Sequence, residues 1–136
     1  MKIKNDFNYK KIIPEITDEI FSTLSLGHTE NVYRTAFEVE LSLRNIFYQS
    51  LPVIPIKYKD FIVGYVEADL IINNEVLVEL KIDKKIYNRA IIQLEKYMRH
   101  SKLKVGIVIN FGSEQKRPEL KFIENKTVIY DGEEDK

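Results

Sequence analysis

The stretch Val66-Glu67-Ala68-Asp69-Leu70-Ile71-Ile72-Asn73-Asn74-Glu75-Val76-Leu77-Val78-Glu79-Leu80-Lys81-Ile82 decides the fold. Both of its halves alternate with a period of two, the mark of β-strands. In the first half Val66, Ala68, Leu70 and Ile72 share one face, with Glu67 and Asp69 on the other. In the second half Val76, Val78, Leu80 and Ile82 share a face, with Glu79 and Lys81 opposite. A two-residue Asn73-Asn74 turn would set Ile72 against Glu75 and put the two apolar rows in different layers. A three-residue loop, Asn73-Asn74-Glu75, sets Leu70 against Val78 and aligns the rows. In that register Asp69 lies opposite Glu79, and Glu67 opposite Lys81.

Two carboxylates facing each other on neighbouring strands, with Cβ atoms roughly 5 Å apart, destabilise a sheet unless a counter-charge intervenes. A divalent cation, a shared proton or a bridging lysine would each serve, and a solvated sheet face would tolerate the pair without any of them. Two features weigh against the solvated face. Val105-Gly106-Ile107-Val108-Ile109 is wholly apolar, as in a strand covered on both sides. Gln93 also lies within about a tenth of a turn of Ile86, at the margin of the apolar stripe of the intervening helix.

Working outward, Ile12, Ile13, Ile16, Ile20 and Leu24 recur at helical spacing, with Pro14 either opening that helix or bending it. The spacing predicts a second helix from Glu30 to about Arg44, with Thr29 as N-cap and Val32, Ala36, Val39 and Leu43 as its buried stripe. Asn45 suits a left-handed stop. Residues 51–58 and 61–72, rich in Val, Ile and Tyr, join at Lys59-Asp60 and form a three-stranded meander with 76–81. Residues 84–100 return to helical spacing through Ile86, Ala90, Leu94 and Tyr97. Segments 120–123 and 128–130 are candidate edge strands. The order is ααβββαβ, an α/β sandwich with a mixed sheet.

The 136 residues suffice for one domain with its own core. The absence of Cys excludes disulfides, zinc ribbons and thiol chemistry, and two histidines cannot make a multi-histidine metal site. His28 and His100 read as surface residues. Any metal would sit among oxygen ligands, which points to Mg²⁺, Mn²⁺ or Ca²⁺. The 21 basic and 21 acidic residues cancel, yet residues 81–104 carry eight Lys or Arg against Asp83 and Glu95. That stretch is either a solvated helix face or a phosphate-binding side on which Arg89, Lys96 and Arg99 contact nucleic acid. Residues 132–136 read as a frayed acidic tail. No signal-like or membrane-spanning apolar run is present, so a soluble, cytoplasmic protein is expected.

Asp69, nine residues, then Glu79-Leu80-Lys81 resembles the D-x(n)-E-x-K motif of the PD-(D/E)XK nuclease superfamily. Gln93-Leu94-Glu95-Lys96-Tyr97 resembles the Q-x-x-x-Y motif of its RecB-like and lambda-exonuclease-like branches. Gly27-His28-Thr29-Glu30-Asn31-Val32-Tyr33 is similar to the motif that names the GxxExxY family within the superfamily, and residues 103–112 resemble that family's closing strand. Ala68 stands where the superfamily name has Pro, and the loop before Glu30 lacks the usual proline.

The resemblance, which runs from about Ile12 to Gly112, implies a restriction-endonuclease-like αβββαβ core, with residues 1–136 as a single nuclease-like domain, and a Mg²⁺-dependent phosphodiesterase, with Mn²⁺ as substitute. Asp69, Glu79 and the main-chain carbonyl of Leu80 would hold the metal. Glu30 would complete the acidic cluster directly or through a water. Lys81 would orient the attacking water and stabilise charge on the phosphate. Gln93 would hold the site from the helix, and Tyr97 would support it or touch the substrate backbone; Tyr33 reads as core. The expected partner is nucleic acid, DNA before RNA, with no membrane and with self-association open. A catalytically silent binding or interaction module on the same fold is the alternative, and an acidic cluster serving Ca²⁺-dependent stability alone is a lesser one. The presence of Glu30, Asp69, Glu79 and Lys81 together favours the enzyme.

Overall fold

Residues 76–81 and 105–110 lie side by side as parallel strands at the centre of a five-stranded mixed sheet. The computed structural model describes residues 3–4 and 6–124; the expected acidic tail and the candidate strand 128–130 lie outside them. The elements are α1 (Tyr9–Leu24), α2 (Glu30–Leu43), β1 (Tyr48–Ser50), β2 (Val53–Tyr58), β3 (Phe61–Glu67), β4 (Leu70–Ile72), β5 (Val76–Lys81), α3 (Asn88–Ser101), β6 (Val105–Asn110) and β7 (Glu119–Glu124). The sheet order is β1-β4-β5-β6-β7, antiparallel except for β5 and β6, which α3 connects. A parallel pair needs such a crossover. Among the described residues no helix is long and apolar enough to cross a membrane.

The hairpin at Asn73-Asn74 has the three-residue loop. Leu70 pairs with Val78, Ile71 with Leu77 and Ile72 with Val76. Asn73 and Asn74 both take left-handed backbone angles (φ 55° and 56°), which asparagine tolerates better than most residues. Leu70, Ile72, Val76, Val78 and Leu80 face α1 and α2, while Ile71 and Leu77 face α3. Both layers are filled, so the sheet is covered on its two sides. Gly106 of β6 lets α3 lie close to the sheet, since a Cβ there would lie 2.7 Å from Met98 Sδ and 3.0 Å from Leu94 Cδ1 and would push those side chains aside.

Several expectations are corrected. The segment 61–72 is not one strand. It breaks at Ala68-Asp69, where the chain passes from a separate two-stranded ribbon, β2–β3, into the main sheet. Residues 51–58 therefore do not join the meander, and the edge beside β4 is instead held by β1. Glu67 pairs with Val53, not with Lys81. The break also changes the alternation: Val66 and Ala68 pack with α3, on the opposite side from Leu70 and Ile72. Backbone groups at the crossing find partners in the loop before β2, Leu51 N–H donating to Asp69 O and Ala68 N–H to Pro52 O. On α2 the buried stripe is Tyr33, Phe37 and Leu41, whereas Val32, Val39 and Leu43 are exposed. The larger aromatic rings remove more apolar area from water, and they win the inward face. Helix α1 starts at Tyr9 and runs through Pro14, and α3 starts at Asn88, not near 84. Thr29 caps α2 by accepting the Val32 N–H, and Asn45 is left-handed, both as expected.

Candidate active site

Asp69 occupies the break between ribbon and sheet, one residue beyond the last rung of the β4–β5 ladder. With no strand backbone there to receive it, the Leu80 N–H donates to Asp69 Oδ2 at 2.8 Å. Glu79, on the α3 side of β5, is only 6% exposed, and its Oε1 is buried without a hydrogen-bond partner. A buried carboxylate oxygen with no donor is costly, so its position calls for a proton or a cation. Burial, reinforced by the Asp69 carboxylate, pushes the Glu79 carboxyl up to about 8, with Lys81 opposing the rise. Burial also raises Asp69, while the Leu80 N–H, Arg34 and Lys81 pull it down.

Lys81 ends β5. Its Nζ donates to Gln93 Oε1 at 3.5 Å, and Gln93 Nε2 donates to the Tyr97 hydroxyl at 3.0 Å. The spacing of four places Gln93 and Tyr97 one above the other on α3, so the helix aims the lysine. Lys81, Asp83, Arg89, Gln93 and Lys96 line a cleft of about 330 Å³. Arg89 also lies over the Tyr87 ring, 4.3 Å from its centroid. Arg99 is not brought to this cleft. It sits in the last turn of α3, roughly 15 Å along the helix from Arg89, and lines a separate cleft with Lys57 and His100.

Glu30 opens α2. Burial raises its pKa, Lys81 lowers it, and Asp69 and Asp83 raise it further. Residues 51 positions apart in the chain thus act on one another here. The spacing Gly27-x-x-Glu30-x-x-Tyr33 has a physical basis. Gly27 takes a φ of 105°, which side-chain-bearing residues avoid. The Tyr33 hydroxyl donates to Ser25 O at 2.8 Å and accepts the His28 N–H at 3.3 Å, fixing the loop that delivers Glu30. The fully buried Tyr33 ring stacks on Phe111, with centroids 4.1 Å apart.

Two contributors were not anticipated. Arg34 lies one helical turn after Glu30, and its Nη1 is 3.8 Å from Asp69 Oδ1 while its Nε is 3.5 Å from Glu38. The i, i+4 spacing from Glu30 was the available signal. Asn110, fully buried at the end of β6, accepts the Asp83 and Gly112 N–H groups and donates to Asp83 O. It clamps the chain as it leaves Lys81, a role no local pattern reveals.

The donors at Asp69 and Glu79 are hard oxygens, the class that Mg²⁺ or Mn²⁺ takes. Among the described residues no three His, Asp or Glu side chains form a ready ligand set. Two carboxylates still fit an ion of the Mg²⁺ type, which commonly uses one or two of them and completes its shell with water and phosphate. The unpartnered Glu79 Oε1 is the observation that supports the fit.

A family model described as the PD-(D/E)XK nuclease superfamily matches residues 8–123. Two solved structures are similar in fold, which is a restriction-endonuclease-like mixed α/β core. One, the crystal structure of SSO0001, is 16% identical with a TM-score of 0.52, over 86% of this chain and 59% of that one. The other, an alkaline exonuclease (LHK-Exo) from Laribacter hongkongensis, is 10% identical with a TM-score of 0.52, over 91% of this chain and 73% of that one. The chain thus spans under two thirds of SSO0001. No curated protein matches the sequence.

Proposed function

Because the chain belongs to the PD-(D/E)XK nuclease superfamily, we propose that it is a metal-dependent nuclease that hydrolyses phosphodiester bonds of DNA at Asp69, Glu79 and Lys81. The observation that carries this reading is the buried, unpartnered Oε1 of Glu79 beside Asp69, with Lys81 on the same strand and held by Gln93. Asp69, Glu79 and the Leu80 carbonyl would hold a divalent ion, Mg²⁺ or Mn²⁺. The chemistry that such an ion supplies when bound is a more acidic water and neutralised phosphoryl oxygens.

The protein's own groups do the rest. Lys81, held by Gln93, is a positive charge where charge grows on the phosphoryl group. Gln93, tied to Tyr97, keeps the ammonium from swinging into solvent. Glu30 orients a water from the α2 side, and Arg89 and Lys96 take the flanking phosphates through charge alone. The Gly27, Glu30 and Tyr33 spacing supports a finer placement in the GxxExxY group.

The test is an assay of labelled single-stranded, duplex and branched DNA, with RNA beside them, in Mg²⁺, Mn²⁺, Ca²⁺ or EDTA. Cleavage in Mg²⁺ or Mn²⁺ that EDTA stops is the expected result. A folded protein that binds neither metal and cuts nothing is instead a silent module on the nuclease fold.

A further inference from the structure

Arg99 and His100 line a second cleft of about 480 Å³, bounded by the last turn of α3, by β2 and by the β1–β4 edge of the sheet. It falls in the size range of small-molecule and cofactor sites. Its titratable lining is Lys57, Arg99, His100 and Lys102, with no acidic side chain. Protein surfaces ordinarily intersperse both signs, and this chain carries 21 residues of each. Lys57 and Arg99 are exposed, and among the described residues neither makes an ion pair. Burial, then the charges of Arg99 and Lys96, lower the His100 pKa, so these cations repel within reach of one another. The floor is apolar, with Pro52, Ile54 and Ile71 buried beneath the charges. An anion with an apolar body suits such a lining.

The helix joins this cleft to the one beside Lys81. Arg89, Gln93, Lys96 and His100 follow at spacings of four, three and four, and so lie on one face of α3. The first three line the cleft beside Lys81, and the fourth lines the second cleft. Glu95, the one acid of α3, lies about a third of a turn from that face. We infer that a single nucleic-acid strand held at Asp69 and Glu79 continues along this face into the second cleft. There Lys57 and Arg99 take its phosphates, and the apolar floor takes a base out of water. The inference rests on the nuclease reading above and adds a second binding site to it. Arg89 and Arg99 are roughly 15 Å apart along the helix, the rise of about four nucleotides of a B-form strand. A short oligonucleotide fits either cleft, and a longer one can occupy both. That shared helix face favours a strand over an acidic segment of another protein, which would have no need of the cleft beside Lys81.

Fluorescence anisotropy with labelled (dT)4 and (dT)16 tests this inference on the full chain, in EDTA so that binding is read without cleavage. Lys57→Ala with Arg99→Ala removes two exposed charges and should melt with the wild type. The double variant should weaken (dT)16 by at least about tenfold and lower its salt dependence by roughly 1.4 units of slope, the value for two single-strand phosphates. For (dT)4, which can still occupy the cleft beside Lys81, the loss should not exceed about twofold. Wild-type affinity for (dT)16 in the double variant overturns the inference, as does an equal loss at both lengths or a wild type that binds neither. A labelled poly-glutamate peptide that binds through Lys57 and Arg99 more tightly than (dT)16 would overturn it in favour of an acidic protein segment. Unaltered binding by the double variant counts against the second site alone. A strand held there but left uncut in Mg²⁺ and Mn²⁺ counts against the nuclease reading alone.

Discussion

The Asp69 carboxylate receives the backbone N–H of Leu80 at 2.8 Å just beyond the point where the β4–β5 ladder ends. A side chain thus continues the hydrogen bonding that a strand backbone would otherwise supply. The consequence is positional: Asp69 is fixed beside Glu79, and Glu79 is buried with one oxygen unpaired. The fold holds that unfavourable arrangement because apolar layers on both faces of β5 over-determine it.

Without metal, that arrangement should make stability fall as pH rises. Glu79 titrates near 4.5 when unfolded but is pushed up to about 8 in the fold. Between those values the native state binds more protons than the unfolded one, so stability declines across the window and levels off above it. Glu79→Gln has nothing to ionise and should gain on the wild type by a few kcal/mol at about pH 9. Thermal melts in EDTA between about pH 5 and pH 9 check this. A wild type that holds level with Glu79→Gln across that range would contradict it.

Adding metal should reverse the ranking. At roughly a hundredfold excess over its dissociation constant, Mn²⁺ should stabilise the wild type by about 2.7 kcal/mol and leave Glu79→Gln or Asp69→Asn unmoved. Affinity should strengthen by up to tenfold per pH unit below about 8, as the Glu79 proton is displaced. Equal shifts in wild type and Glu79→Gln would place the metal elsewhere.

Lys81 and the basic residues of α3 should separate kinetically. Lys81→Ala should lower the rate of bound substrate by a hundredfold or more with little change in affinity, because its charge matters most as the phosphoryl charge grows. Arg89→Ala and Lys96→Ala should do the opposite, and each should reduce the salt dependence of binding by about one unit of slope. Arg99→Ala, remote from this cleft, should have the least effect of the four on the cleavage rate. Filter binding and single-turnover rates at several salt concentrations distinguish these outcomes.

Tyr33→Phe tests how Glu30 is delivered. The stacking on Phe111 survives, but the bonds to Ser25 and His28 are lost. A loss of about 1–2 kcal/mol is expected, along with a drop in cleavage rate as the loop before α2 loosens. Unchanged stability and rate would show that the hydroxyl does not hold that loop.

Most of the sheet was legible because its physics is local. The register of Leu70 on Val78 followed from period-two alternation, and the Thr29 cap and left-handed Asn45 from residue chemistry. The same alternation misled across Ala68-Asp69. A break that swaps sheets keeps its residues apolar while reversing their faces, so Val66 and Ala68 pack opposite Leu70. On α2 both stripes are apolar, and only packing against Phe111 and β5 selects Tyr33 and Phe37 over Val32 and Val39. Asp69, Glu79, Lys81 and Gln93 were visible as motifs. Arg34 and Asn110 were not, because their partners lie 35 and 27 residues away and only the fold brings them near.

The central claim is that Asp69, Glu79 and Lys81 form one hydrolytic site, and single-turnover cleavage of labelled DNA in Mg²⁺ tests it most directly. Wild type, Glu79→Gln and Asp69→Asn should be compared, each shown to be folded by its melt. The account predicts EDTA-sensitive cleavage by the wild type and a loss of at least a thousandfold in both variants. Cleavage by Glu79→Gln at the wild-type rate would contradict it.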